Sequence, residues 1–552
     1  MSQLRRSSSA GSQPLTGRTG GEWVVAALAA HGVRHVFGIP GVHNLAVYDA
    51  LLGQSAMAHI LARHEQGAGF MADGYARASG QVGVVLVTTG PGATNALTPL
   101  VESGASSQPV LLLMSDIPAA LIGRDVGALH EVPDQIECFR PVSRHAETIR
   151  DGRLIPAAIA RAFAIMTTGR PGPVSLSIPT DLLTARVESA LAARLTRPPA
   201  CDRSLIDRAA AVLEAARRPL IVAGGGVVSA GATAELQAVA RRLGAPVVTT
   251  VMGRGSLPET DPLWLGVLPN KLATQPALEA ADVVLAVGCR FAHRSTQGLL
   301  LNLSFRPEQT LIHLDIDPAV FGKLYPPAIA IVGDARDGLA GLGDALAAAA
   351  PAREWDAAWL AERRTARSKR FTPAIDRLIR ILREALPDDA IVVNDQTGIN
   401  YWMEWHFPVL EPRTFLYPIG SATLGYGVPA AIGAKVARPE RAVLCVVGDG
   451  GFLFSVNELA TAVKYRLPVV FLLMNDERYG AIEYLQDAMF GRHGEADLAN
   501  PDFQALARAF GVESERVERL EELPRALEKA LAHSAGPTLV ELPLGIGPPW
   551  EL

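Results

Sequence analysis

A chain of 552 residues with 49% hydrophobic and 19% charged side chains is too apolar to be disordered, and it has room for about three domains. Its 51 basic and 56 acidic side chains are mixed along the sequence and leave a formal net charge of -5, which excludes the basic footprint of a nucleic-acid binder. The cysteines, Cys138, Cys201, Cys289 and Cys445, form no CxxC pair and exclude both a disulfide framework and a cysteine zinc site.

Met1 to Pro14 carries Arg5-Arg6 and a serine run without an apolar core, so residues 1–17 read as a disordered tail and not as a secretory signal. No apolar run approaches the roughly 20 residues of a membrane span, and a cytoplasmic protein is expected. Short Val, Leu and Ile runs then alternate with Ala-rich helical patterns, the pattern of parallel sheets covered by helices. The expected fold class is α/β, with three doubly wound parallel-sheet domains. The first spans 18–185, with strands near Val33 to Gly38, Val82 to Thr88, Val110 to Met114 and Val174 to Ile178. Arg186 to Asp202, containing Arg197-Pro198-Pro199, reads as a linker. The second domain, 203–348, has strands at Pro219 to Ala223, before Gly224-Gly225-Gly226, and at Val283 to Val287 and Thr310 to Asp315. A charged, Ala-rich connection from Ala349 to Arg370 leads to the third, 371–545, with strands at Ala390 to Asn394, Val443 to Val447 and Val469 to Met474.

The first and third blocks resemble each other. Val84 to Gly92 (VVLVTTGPG) set beside Ala442 to Gly450 (AVLCVVGDG) places Gly69 on Gly427 and Ala76 on Ala434, a pattern expected of duplicated domains.

In the third block a buried strand runs into Gly448-Asp449-Gly450-Gly451, and a helical pattern begins near Ser455. Small residues and free helix N–H groups suit phosphate oxygens, but Asp449 would repel them. A carboxylate facing a diphosphate makes sense with a divalent cation between the two, and Mg²⁺ joins carboxylates to phosphates in this way. Asp476, directly after the strand Val469 to Met474 and Asn475, can complete the cage from the neighbouring strand end. Read singly, Asp449 is equally a turn residue and Asp476 a helix cap.

Gly448 to Asp476 resembles the thiamine diphosphate motif of the acetolactate synthase, pyruvate decarboxylase and benzaldehyde lyase superfamily, and the resemblance extends over about residues 18–545. It implies pyrimidine-binding, central and diphosphate-binding domains in that order, with Asp449, Asp476 and the backbone carbonyl of Arg478 as Mg²⁺ ligands. The family motif usually closes with two asparagines; here the pair is Asn475-Asp476, one negative charge more. Glu65, within Arg63-His64-Glu65-Gln66-Gly67, matches the acid that donates to the pyrimidine ring nitrogen. Without the resemblance it reads as a capping or salt-bridged acid beside Arg63. The resemblance further implies cofactor contacts from Pro40, Gly90 and Asn95 on the pyrimidine side. On the diphosphate side it implies Thr397, Gly398, Ile399, Asn400, Leu424, Gly448, Gly450, Gly451, Tyr479, Gly480 and Ala481. Leu424 matches the apolar residue that props the cofactor in its bent form. At Gly398-Ile399, acetolactate synthases carry Gln-His.

The implied reaction is 2-oxo acid decarboxylation through an enamine, protonated to an aldehyde or added to a second carbonyl. His43 matches an active-site histidine of benzaldehyde lyase, and Leu129-His130-Glu131 replaces a stretch in which acetolactate synthases carry a glutamine. Both histidines are candidate catalytic groups, with His130 a proton shuttle or a spacer. These details and Arg478 to Tyr484 look similar to 5-guanidino-2-oxopentanoate decarboxylases, where Glu131, Asp134 or Glu483 would pair with a guanidinium. A pyruvate-like acid, acetolactate synthesis, a benzaldehyde lyase-like cleavage and an FAD-dependent 2-oxo acid oxidase stand as alternatives, as does a protein that binds the cofactor without catalysis. Gly224-Gly225-Gly226 and Gly288-Cys289-Arg290-Phe291 resemble the FAD-bearing central domain of acetolactate synthases, although an empty central domain is the favoured reading. The resemblance implies a homodimer or a dimer of dimers, with sites between subunits.

Overall fold

The apolar runs form the strands of three parallel six-stranded sheets in a computed structural model, which describes residues 17–193, 199–293, 306, 308–347, 353–366 and 371–550. Residues 1–16 of the expected tail, and Arg197 and Pro198 of the expected linker, lie outside the described residues.

The first sheet contains β1 (His35–Gly38), β2 (Ala58–Leu61), β3 (Gly83–Val87), β4 (Val110–Asp116), β5 (His145–Thr148) and β6 (Val174–Pro179), in the order β2-β1-β3-β4-β6-β5. The central sheet contains β7 (Pro219–Ala223), β8 (Val247–Thr249), β9 (Trp264–Val267), β10 (Val283–Val287), β11 (Thr310–Asp315) and β12 (Ile329–Val332), in the order β9-β8-β7-β10-β11-β12. The third contains β13 (Ile391–Asn394), β14 (Phe415–Leu416), β15 (Val443–Gly448), β16 (Val469–Met474), β17 (Glu513–Arg516) and β18 (Thr538–Leu542), in the order β14-β13-β15-β16-β18-β17. The first and third sheets therefore share one strand order and the central sheet has another, which gives structural substance to the weak internal repeat.

The expected strands fall within two residues of their places. Those without an expectation are short, polar or interrupted. β14 has two residues, β17 is Glu-Ser-Glu-Arg on a sheet edge, and buried Glu541 breaks the apolar run of β18. Arg186–Val187, placed in the linker, instead pairs antiparallel with Arg18–Thr19 and closes the first domain. The connection before the third domain contains a helix, Ala357–Ala366, whose Trp359 and Leu360 pack on the central core while the Trp355 indole donates to the Pro219 carbonyl. The helix expected near Ser455 starts earlier, at Asp449, and runs to Phe454. Ser455 leaves helical geometry at φ -137°, and a second helix follows at Leu459–Lys464.

The first and third domains share one apolar cluster, and its centre is a helix crossing. The helix Glu65–Ser79 is capped by His64, whose ring nitrogen accepts the Gln66 N–H, and it ends at Gly80 with φ 75°. From Gly67 to Ala78 it is buried on every side, against the helix Gly427–Ala437 among other neighbours. A β-carbon on Gly74 would lie on the Ala430 carbonyl, and one on Gly433 on the Met71 carbonyl. A shift of 359 residues carries one contact into the other, so the two domains meet about a pseudo-twofold axis, with the helices one residue out of the register that places Gly69 on Gly427.

Candidate active site

β15 and β16 are neighbours in register from Val443 opposite Val469 to Gly448 opposite Met474, so Asp449 and Asp476 leave adjoining strand ends on the same edge. Asp449 accepts the Gly450 N–H at 2.9 Å and the Asn500 amide at 2.7 Å. The same Asn500 nitrogen is 3.1 Å from the Asn475 oxygen, and Asn475 is held on buried Glu541 at 2.9 Å. Burial pushes the Asp449 carboxyl up. Asp476 is pushed up to about 6, first by burial and then by the charge of Asp449, with Arg478 opposing. A carboxyl group whose ionisation is hindered by burial and by a neighbouring carboxylate forms with it a donor set a divalent cation would satisfy.

The glycines of the turn are required by close approach: a β-carbon on Gly450 would meet the Tyr479 ring, and one on Gly451 the Asp395 carboxylate. A β-carbon on Gly448 would meet the Thr397 side chain, and one on Gly398 the Ile546 carbonyl. Gly480 and Ala481 open the next helix, Gly480–Phe490, with Gly480 against Asp476. At Ile399 and Asn400, expected diphosphate contacts, the side chains face inward. Ile399 is in the core, and the Asn400 amide donates to the Asp395 and Val446 carbonyls, because this helix must cover the sheet. Leu424 is half-buried on the loop between β14 and the helix Gly427–Ala437.

On the first domain, Glu65 opens its helix half-buried and accepts the Asn95 amide at 2.9 Å. Asn95 ends a short helix, Pro91–Asn95, and not a loop. Its N-cap Gly90 has φ 64° and approaches the His130 carbonyl too closely for a side chain. The N–H groups of Arg63 and His64, just before the helix Glu65–Ser79, rest on buried Glu458 of the third domain. Among the described residues no hydrogen bond joins Glu65 to the Asp449 group of the same chain.

His43 and His130, far apart in sequence, have ring centroids 5.4 Å apart. His43 is buried, and the Nδ1 atoms of both rings are buried without a hydrogen-bond partner. Burial and His130 lower the His43 pKa, and Asp116 at the end of β4 opposes this. Asp116 was not a sequence candidate. It is buried and accepts the Ser177 hydroxyl at 2.6 Å. Gln135 holds the Gly90 N–H at 2.6 Å and donates to the Ser115 carbonyl at 3.0 Å. Asn500 was missed as well, since it lies in an irregular segment before Pro501 and carries no periodic signal; Asp116 could have been found as a carboxylate at the C-terminal end of a parallel strand. Pro40 is exposed beyond β1.

Of the carboxylates considered for a guanidinium, Glu131 accepts the Ala128 N–H at 2.8 Å. Asp134 is exposed, and Glu483 is engaged by Arg478 at 3.0 Å.

A cavity of 410 Å³ opens between the central domain and its neighbours, bordered by Gly225, Gly226, Arg170, Arg290, Arg413 and Asp315. Burial lowers the pKa of all three arginines and pushes Asp315 up to about 6.

Comparison with known sequences decides the assignment. The profile described as "Thiamine pyrophosphate enzyme, N-terminal TPP binding domain" matches residues 18–138, the central-domain profile 206–342 and the "C-terminal TPP binding domain" profile 395–542. The chain belongs to the thiamine pyrophosphate enzymes. A Pseudomonas aeruginosa protein named "Probable 2-ketoarginine decarboxylase" is 42% identical over 96% of this chain and 95% of its own. The "Probable acetolactate synthase large subunit" of Methanocaldococcus jannaschii is 38% identical over 93% and 90%, and the acetolactate synthase isozyme 3 large subunit of Escherichia coli 35% over 93% and 92%. As a thiamine pyrophosphate enzyme the chain acts on small molecules, and no described helix is long and apolar enough to cross a membrane.

Proposed function

We propose that this thiamine pyrophosphate enzyme is a Mg²⁺-dependent decarboxylase of a guanidino 2-oxo acid, 5-guanidino-2-oxopentanoate or a close analogue. The pair of buried Asp449 and half-buried Asp476 at adjoining strand ends carries the cofactor reading, and the name of the P. aeruginosa relative supports the substrate. When bound, thiamine diphosphate supplies a carbon nucleophile and an electron sink for the pair left by departing CO₂. Asp449, Asp476 and the Arg478 carbonyl would hold Mg²⁺, and Gly448, Gly450 and Gly451 would let phosphate oxygens approach. Glu65, oriented by Asn95, would hold a proton at the pyrimidine nitrogen, with Leu424 supporting the rings. His43 and His130 would carry protons to and from the reacting carbon, and Asp116 would bias His43 toward its charged form. We keep 18–185, 203–348 and 371–545 as the domain division, a cytoplasmic location, and a homodimer or dimer of dimers.

The test is a panel of 2-oxo acids with thiamine diphosphate and Mg²⁺, following CO₂ and product. Turnover of the guanidino acid is expected to exceed that of pyruvate; a large excess with pyruvate, yielding acetolactate, would select the synthase alternative.

Proton-linked metal binding follows from Asp476. Its carboxyl, raised to about 6 without metal, must ionise to bind Mg²⁺, so affinity is retained above that pH and falls as pH drops through it. The half-saturating Mg²⁺ concentration is expected to rise by up to about tenfold per pH unit below 6. An unchanged titration between pH 7 and 5 would remove Asp476 from the cage.

The cavity supports a second, separate reading: arginines facing it suit a phosphate-bearing nucleotide such as FAD. A visible absorbance scan of the purified protein tests this, and a colourless protein that gains no flavin on incubation would leave the cavity without that cofactor.

A further inference from the structure

We propose that Glu102 is a positioning residue which, from the first domain, fixes the third-domain loop that presents Leu424. The inference rests on reading Leu424 as the cofactor's support. Glu102 is fully buried on the helix Leu97–Ala105. It accepts the Ser421 N–H at 2.7 Å, the Ser421 hydroxyl at 2.8 Å and the Gly420 N–H at 3.3 Å. Its own carboxylate is set by the Arg77 guanidinium at 2.8 Å and the Ser106 hydroxyl at 2.5 Å.

Arg77 also binds Asp73 at 2.5 Å and the Tyr417 carbonyl at 2.9 Å. One buried cation thus faces two buried anions, Asp73 and Glu102. The first domain adds the Ser103 hydroxyl at 2.8 Å to Asp73, and loop groups supply the rest: Gly420 and Ser421 for Glu102, and the Tyr426 hydroxyl at 3.0 Å for Asp73. At the far end of the loop the Gly427 N–H meets buried Asp395 at 2.6 Å. Carboxylates therefore hold residues 420–427 at both ends, while Ser421 to Leu424 between them stay exposed or half-exposed. Ala422 keeps a left-handed φ of 53° in that stretch, a conformation that persists only where its surroundings impose it. Gly420 lies against Ala105 and Ser106, too near for a side chain, so the loop is seated directly on the first domain's helix end.

Arg77 and Asp73 belong to the helix that begins at Glu65, so one charge network ties the acid's helix to the Leu424 loop of the same chain.

The test is Glu102→Gln, which keeps shape but removes the charge, and Ser421→Ala, an exposed change that removes one side-chain bond and leaves the fold intact. The Asp449 and Asp476 carboxylates make no hydrogen bond to residues 420–424 among the described residues; the loop touches the Asp449 helix only beyond that stretch, where the Ser455 hydroxyl donates to the Gly425 carbonyl. Thiamine diphosphate affinity, from fluorescence titration with Mg²⁺, is therefore expected to stay within about threefold. The turnover number is expected to fall by about 100-fold in Glu102→Gln, as a misplaced support would cause. In Ser421→Ala it is expected to fall by about fivefold, the equivalent of one hydrogen bond. Amide exchange should quicken over 420–427 and not over β15. Unchanged turnover in Ser421→Ala, or turnover and cofactor affinity falling together with melting temperature in Glu102→Gln, would overturn the proposal. If Glu102→Gln fails to fold, Ser421→Ala decides alone. Wild-type protein that releases no CO₂ from any 2-oxo acid would refute the decarboxylase reading, whereas slowed loop exchange on adding thiamine diphosphate to wild type, absent in the variants, still reports on the clamp.

Discussion

Glu65→Gln is expected to lower the turnover number for CO₂ release by about 10³-fold, within the range for loss of a positioned acid or base, while thiamine diphosphate binding changes by no more than about threefold. Glu65 is half-buried at the first turn of its helix, and one oxygen accepts the Asn95 amide. Glutamine has the same shape and keeps an oxygen for Asn95, so the pocket persists. It cannot exchange a proton with the ring nitrogen. Fluorescence titration separates binding from turnover, and full activity in the variant would remove the acid from the mechanism.

Arg254→Leu is expected to destabilise the protein by about 3–5 kcal/mol, as does breaking other buried ion pairs. Arg254 grips Glu259 through two nitrogens at 2.7 and 2.9 Å, and its remaining N–H groups go to the Met403, Glu404 and Phe407 carbonyls. It thereby caps the helix Gly398–His406 of the third domain from a loop of the central one. Leucine would leave Glu259 buried without its cation and would remove the guanidinium donors to the Met403, Glu404 and Phe407 carbonyls. Denaturant unfolding measures the loss, and Arg254→Leu/Glu259→Leu should recover much of it because the orphaned charge is gone. An unshifted midpoint in the single variant would show that water replaces the arginine at no cost.

Sequence patterning was sufficient for the buried parallel strands because each is a near-continuous apolar run bounded by glycine or polar turns, as in Val283–Val287 and Val469–Met474. It was insufficient for edge strands such as Glu513–Arg516, whose pairing comes from backbone and not from side chains. Asp449 and Asp476 were legible because they directly follow such runs. Asn500 was not, since it reaches Asp449 through the folding of an irregular segment. Asp116, at the end of the apolar run Val110–Met114, carried the same signal as Asp449, and only its pairing with Ser177 and His43 was hidden. The inward turn of Ile399 and Asn400 was equally hidden: which residues of a strand-to-helix turn face the ligand depends on how the helix lies on the sheet. The meeting of His43 with His130 needed the close approach of Gly90 to the His130 backbone, a contact no local pattern encodes.

The Gly74–Gly433 crossing has the symmetry of an association between two like molecules, yet both halves belong to one polypeptide joined through the central domain. The central domain is in effect a tether, which makes the pairing of the two halves an intramolecular event. Glycine and alanine let the two helices touch there, and Phe70 edge-on to Tyr426 supplies the larger apolar anchor beside them. Damage at this crossing is accordingly expected to loosen the halves without releasing them. The same two domains expressed as separate chains would depend on their concentration in a way the intact protein does not.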